Sequence, residues 1–198
     1  MGEKLNSGQH QHINMNEIEF LNKHWFMYHK LEDEFMEIEK TIPIDEENFN
    51  TFSYSYMKLL GLICCEFNEC FKNFAKHCNS NCNSINKYKK FINDNFPNFI
   101  NCEVNFGELG YERLSFKPFE NWSDDKGPFW WEVNNGIKHN RNIDEIQEGK
   151  ENYKLANQKC ILYALSGLFS LNVYFYTIIT HGTSYVTLIM PQPSSKIF

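Results

Sequence analysis

The sequence predicts an all-α helical bundle. Three observations carry that expectation. Apolar residues step by three or four over residues 16–40, the same periodicity runs over 50–76, and the stretch from Cys160 to Ser195 contains no Asp, Glu, Lys or Arg. With 42% hydrophobic and 16% aromatic residues among 198, the chain can bury a sizeable core and suits one domain. Ten Gly and six Pro exclude collagen-like and proline-rich architectures.

Residues 1–15 are polar and read as a flexible N-terminal tail. From Asn16 the positions Ile18, Leu21, Trp25, Tyr28, Leu31 and Phe35 define a long amphipathic helix, with Glu32, Asp33, Glu34, Glu37 and Glu39 largely on its wet side. Pro43 ends it. A second helix is expected over 50–76, through Tyr56, Leu59, Ile63, Phe67, Cys70 and Phe74. The Asn- and Ser-rich run 78–84 is a loop, and a shorter helix follows over 84–95, stopped by Pro97. Residues 98–127 form an irregular insertion or small hairpin around Gly107 and Gly110. Gly127-Pro128 then starts a helix that reaches His139, with Pro in the favoured first turn. A polar linker, 140–149, leads to a last long helix over 150–179, and 181–198 reads as an extended segment laid over the bundle. The bundle domain is thus expected to span 16–180.

Segment 161–179 approaches the length of a membrane span. Ser166, Gly167, Ser170, Asn172 and Thr177 interrupt it and no basic anchor follows it, so a buried central helix is expected instead of a membrane anchor. The first residues lack the apolar core of a signal peptide, and the seven cysteines are an odd number set mostly in apolar stretches. Reduced thiols in a cytoplasmic protein follow. His77, Cys78 and Cys82 have a faintly zinc-like spacing, but no second Cys/His pair completes a tetrahedral set, so neither metal nor other cofactor is expected.

The net charge is −6, and it is unevenly spread: residues 1–49 carry 4 basic and 11 acidic groups, 50–100 carry 6 and 3, and 101–198 carry 9 and 11. A broad duplex-binding face is therefore excluded, and any nucleic-acid contact must be local. No phosphate-binding glycine loop, Gly-x-Ser-x-Gly elbow or His-Glu-x-x-His is present. His24, His29, His77 and His181 read as surface or helix-end residues.

His139 differs by its company. Trp130-Trp131-Glu132-Val133-Asn134-Asn135-Gly136-Ile137-Lys138-His139-Asn140-Arg141 gathers polar and cationic groups at one helix end, and Arg141 is one of only two arginines in the chain. Asn135 and His139 are i,i+4 neighbours on one face, with Asn134 one residue round. The tryptophans and Ile137 can anchor the helix while the polar set stays at a rim. In a plainer reading, Lys138 and His139 only cap the helix carbonyls.

The pattern Trp-Trp, Asn, Lys-His-x-Arg before a long apolar helix resembles the HEPN superfamily, small helical bundles that include many metal-independent ribonucleases of prokaryotic defence and toxin systems. The resemblance covers the helix order over residues 16–179. Its signature is Arg, four to six intervening residues, then His; here the position with four intervening residues is Asn134, and the nearby cations are Lys138 and Arg141. The resemblance implies a cytoplasmic homodimer that cuts RNA, with His139 as general acid or base, Arg141 and Lys138 as the cations, and Asn134 or Asn135 holding ribose or phosphate. It also allows a toxin–antitoxin pairing. The alternative is a non-catalytic module of the same shape that binds a protein or nucleotide partner.

Overall fold

A computed structural model describes residues 15–106, 114–183 and 187–198. The tail at 1–14, Gly107, Gly110 and Arg113 lie outside the described residues. The protein is mostly helical, 58% helix with one small two-stranded sheet. The first helical stretch is α1 (Glu17–Phe20), a π-helical turn (Leu21–Trp25) and α2 (Phe26–Glu39). Then come α3 (Tyr54–His77), α4 (Ile85–Asn95), the hairpin β1 (Val104–Asn105) and β2 (Ser115–Phe116), α5 (Phe129–Asn140) and α6 (Gln158–His181). The hairpin is antiparallel, with Val104 opposite Phe116.

Caps explain where the helices begin. Asn16 accepts from the Glu19 amide while Glu19 reaches back to the Asn16 amide, a reciprocal capping box. Ser53 accepts from the Tyr56 amide, so α3 starts at Tyr54 and not at residue 50. Asn157 accepts from the Cys160 amide, and α6 starts at Gln158, eight residues later than the sequence suggests. Residues 150–157 look helical in sequence, yet they are committed elsewhere: a short 3-10 turn at Asn152–Leu155 buries Asn152 and Leu155 against α5.

The core lies between α3 and α6. They run parallel, with Tyr56 beside Gln158 near their starts and Phe74 against Phe175, 5.3 Å between ring centres, near their ends. The π-helical turn and α2 cover α6 from another side through Trp25 and Tyr28, both against Phe169. Helix α5 packs on α3 through Trp130, edge-on to Phe67 at 5.0 Å. The apolar window of α6 is 83% buried inside the bundle, the condition of a central helix. Its polar residues are absorbed by its own backbone: Ser170 Oγ donates to the Ser166 carbonyl at 2.9 Å, Asn172 Nδ2 to Leu168 at 2.9 Å, and Thr177 Oγ1 to Val173 at 2.8 Å.

Two expectations about polar residues need correction. Glu32 is not on the wet side of its helix but fully buried, accepting from the Lys196 amide at 2.8 Å, the Ile197 amide at 3.1 Å, the Tyr28 hydroxyl and Ser195 Oγ. The C-terminal segment 187–198 is thereby strapped to α2, and Trp25 Nε1 and His29 Nε2 both bond the Pro193 carbonyl. His24 is not a surface residue either. It is 3% exposed in the π-helical turn, with Nδ1 2.6 Å from Glu66 Oε1.

Candidate functional site

Helix α5 is positioned by its ends. Gly127 begins it because nothing larger fits: a Cβ there would lie 2.7 Å from Trp131 Cδ1, and the Gly127 amide donates to Glu132 Oε1 at 2.6 Å. Trp130 locks the first turn, donating through Nε1 to the Pro118 carbonyl at 2.8 Å while its ring lies against Gly167 of α6. The last turn is held by Asn152, which is fully buried and donates to the Asn140 carbonyl at 2.9 Å. The Tyr153 amide bonds the Arg141 carbonyl at 3.2 Å. Gly136 makes room for this, since a Cβ there would come 2.9 Å from Asn152 Nδ2.

These contacts end α5 at Asn140 and put Arg141 at its C-cap. The polar set expected to act together is divided. Asn134 is 3% exposed, its side chain directed at Gly61 of α3, and its amide nitrogen is buried without a hydrogen-bond partner among the described residues. Lys138, one turn on, is exposed yet close enough for its charge to act on the buried Cys64 thiol of α3. Asn135 is half-buried on the next face, and His139 is exposed four residues later. Asn134 and His139 lie about 140° apart around the helix, so they cannot meet one ligand atom from the same side. Arg141 is exposed, and its Nε reaches only the Asn142 side chain, at 3.4 Å.

The side chains of Lys138 and His139 make no hydrogen bond or ion pair among the described residues, so the plain capping role falls to Asn152 and Tyr153 instead. Asn152 was missed by sequence reasoning. The one signal for it is Gly136, a glycine in mid-helix where only close approach justifies the lost helix propensity.

A second histidine has the form of a catalytic base. The Asn73 amide donates to His24 Nε2 at 3.1 Å, so Nδ1 carries the proton and donates to Glu66. That dyad is closed, however. Its Nε2 is occupied by Asn73, and the rings of Phe20 and Phe175 flank it. Its role is to tie the π-helical turn to α3. His77 sits near the same end of α3, edge-on to Phe175, with a buried Nδ1 and a pKa lowered by burial.

A cavity of about 330 Å³ among the described residues is elsewhere: it opens between the starts of α5 and α6, and none of the five residues expected from the α5 motif lines it. Among the described residues no group of three or more His, Cys, Asp or Glu side chains is placed to share a metal ion. All seven cysteines are free thiols, with Cys65 exposed and Cys64, Cys70, Cys82 and Cys160 buried. Compared with known protein families, curated proteins and solved structures, the chain matches none.

Proposed function

We propose that the protein is a metal-independent endoribonuclease of the HEPN type, of a prokaryotic defence or toxin system. The supporting observation is His139: an exposed imidazole with both nitrogens unengaged among the described residues, set between Lys138 and Arg141, neither of which is paired with a carboxylate. RNA supplies its own nucleophile. Its 2′-oxygen attacks the adjacent phosphorus, the bond to the 5′-oxygen breaks, and the products are a 2′,3′-cyclic phosphate and a 5′-hydroxyl. His139 would take the proton from the 2′-hydroxyl or supply one to the leaving oxygen, and Arg141 and Lys138 would balance the charge of the phosphorane. Asn135 shares the His139 face and would hold ribose or phosphate. Asn134 would reach substrate only if its side chain turned away from Gly61.

One exposed helix end is not a cleft, so the reading includes a second copy of the chain. Large apolar side chains stand exposed beside this end. Tyr54 is 72% exposed and stacks on Tyr153, whose amide bonds the Arg141 carbonyl; Phe52, 42% exposed, meets Tyr153 edge-on. A symmetric pair meeting there would face two His139 rings and double the local cationic charge. Location in a cytoplasm belongs to this proposal. The burial of Asn134 favours a second reading, a non-catalytic module of the same shape that binds a protein (an antitoxin, for example) or a nucleotide.

The two separate in one experiment. The parent and His139→Ala are compared for cleavage of a mixed RNA pool in chelator, with thermal unfolding measured in parallel. Loss of a general acid or base lowers the rate about 10²–10⁴-fold, while an exposed side chain contributes little to stability. The ribonuclease reading predicts that large loss at an unchanged unfolding temperature. No cleavage by the assembled parent, or equal cleavage by the variant, would give the binding module its place.

A further inference from the structure

The cavity between the starts of α5 and α6 has a chemistry that the α5 motif does not use. Its volume, about 330 Å³, is at the small end of ligand sites, which run to ~300–1,000 Å³. It accommodates a single ring with its substituent, not a polymer. Its floor is apolar, with Trp130 and Leu155 both buried, and Phe129 stands at its wall 48% exposed.

Two cations line it. Lys150 and Lys159 make no ion pair among the described residues, and Lys159 Nζ lies 5.8 Å from the centre of the Tyr163 ring, itself part of the wall. Against them the wall sets one carboxylate, Glu120. The amide end of α6 contributes no anion site of its own. Its first N–H groups are already taken, Gln158 by the Thr51 carbonyl at 3.0 Å, Lys159 by Phe49 at 3.2 Å and Cys160 by Asn157 Oδ1 at 3.0 Å.

Asn157 brings a polar group to the wall. It is 8% exposed, its oxygen is used as the α6 cap, and its amide nitrogen has no partner among the described residues although the residue lines the cavity. Asn121, on the same wall, holds a left-handed backbone, φ 62°.

We propose that this cavity binds a small heteroaromatic anion. The ammonium groups of Lys150 and Lys159 meet the charged substituent. Phe129 and Tyr163 flank the ring, and the carboxamide of Asn157, with those of Asn121 and Gln147, bonds the ring heteroatoms. A metal cation is disfavoured by the surplus positive charge, and a neutral hydrocarbon would desolvate both lysines and Asn157 without replacing their water.

Matched pairs of probes test this by titration calorimetry on the full chain: nicotinate against nicotinamide, orotate against uracil, and inorganic phosphate alone. At least one organic anion should bind at millimolar concentration or below, about tenfold tighter than its neutral partner and than inorganic phosphate. The double variant Lys150→Gln/Lys159→Gln should abolish that preference. Asn157→Asp preserves the α6 cap while placing a carboxylate on the wall, and should weaken the anion about tenfold or more. The proposal is overturned if neither anion binds, if a neutral partner or bare phosphate binds as tightly, or if both variants keep the parent's preference. None of these residues belongs to the His139 set, so the outcome is independent of ribonuclease activity.

Discussion

Glu32 is a carboxylate at zero exposure whose partners come mostly from the far end of the chain, Ser195, Lys196 and Ile197. Its other oxygen faces His29 Nδ1 at 3.0 Å. Removing the charge while keeping the shape leaves two backbone amides and two hydroxyls, those of Tyr28 and Ser195, facing a weaker acceptor. Glu32→Gln should therefore lower unfolding stability by about 2–4 kcal/mol and release the C-terminal segment to proteolysis. Urea unfolding with limited digestion checks both, and a parent-like result in each would mean the strap is held by apolar contacts alone. His77 has the opposite character. Burial holds its pKa below the ordinary imidazole value, even at the C-terminal end of α3 where the helix dipole favours a cation. Between the folded and unfolded pKa the unfolded chain binds more protons, so this contribution to stability is full above about pH 6.5 and is lost as pH falls toward the folded value. Comparing parent and His77→Gln between pH 7 and pH 5 should show a shallower acid loss in the variant; parallel curves would contradict the assignment.

The elements show what a sequence can and cannot carry. Helices α2 and α3 were legible because one face of each is buried, and the 3.6-residue period records that directly; α5 was legible from Gly127-Pro128 at its start. The start of α6 was not. Residues 150–157 have helix-compatible side chains, but Asn152 turns back to the Asn140 carbonyl and fixes the end of α5 across twelve residues of sequence. Periodicity has no access to such a bond, nor to those that bury Glu32, most of whose partners, Ser195, Lys196 and Ile197, lie more than 160 residues away. At the candidate site the same division holds: Lys138, His139 and Arg141 were legible as a cluster, whereas the burial of Asn134 depends on how α5 packs on α3, which the sequence of α5 alone does not record. Asn152→Ala tests the cap. It removes a fully buried donor from the α5 carbonyl end, and should lower stability by about 1–3 kcal/mol and loosen the helix end bearing His139. Hydrogen exchange at the amides of Lys138, His139 and Asn140 should quicken more than at Trp131 or Glu132; uniform exchange along α5 would show that the end is held by other contacts.

At the scale of the whole molecule, a mostly apolar central helix is shielded by α2, α3 and α5, and the excess acid sits in the first 49 residues. The cations at the end of α5 are thus a local feature of an acidic protein, and a polyanion would be drawn to that end and not to a broad face. The proposed pairing of two copies there would concentrate the effect, and it predicts a dimer in solution whose cleavage activity falls with dilution. The mechanism makes one demand that no binding module shares: the nucleophile belongs to the substrate. The most direct measurement is cleavage in chelator of an RNA with a mapped scissile bond, beside the same RNA carrying a single 2′-deoxy nucleotide on the 5′ side of that bond. The account predicts a 2′,3′-cyclic phosphate and a 5′-hydroxyl from the first and no cut at that bond in the second. Cleavage of the deoxy-substituted bond at the parent rate, or products ending in 5′-phosphate, would contradict it.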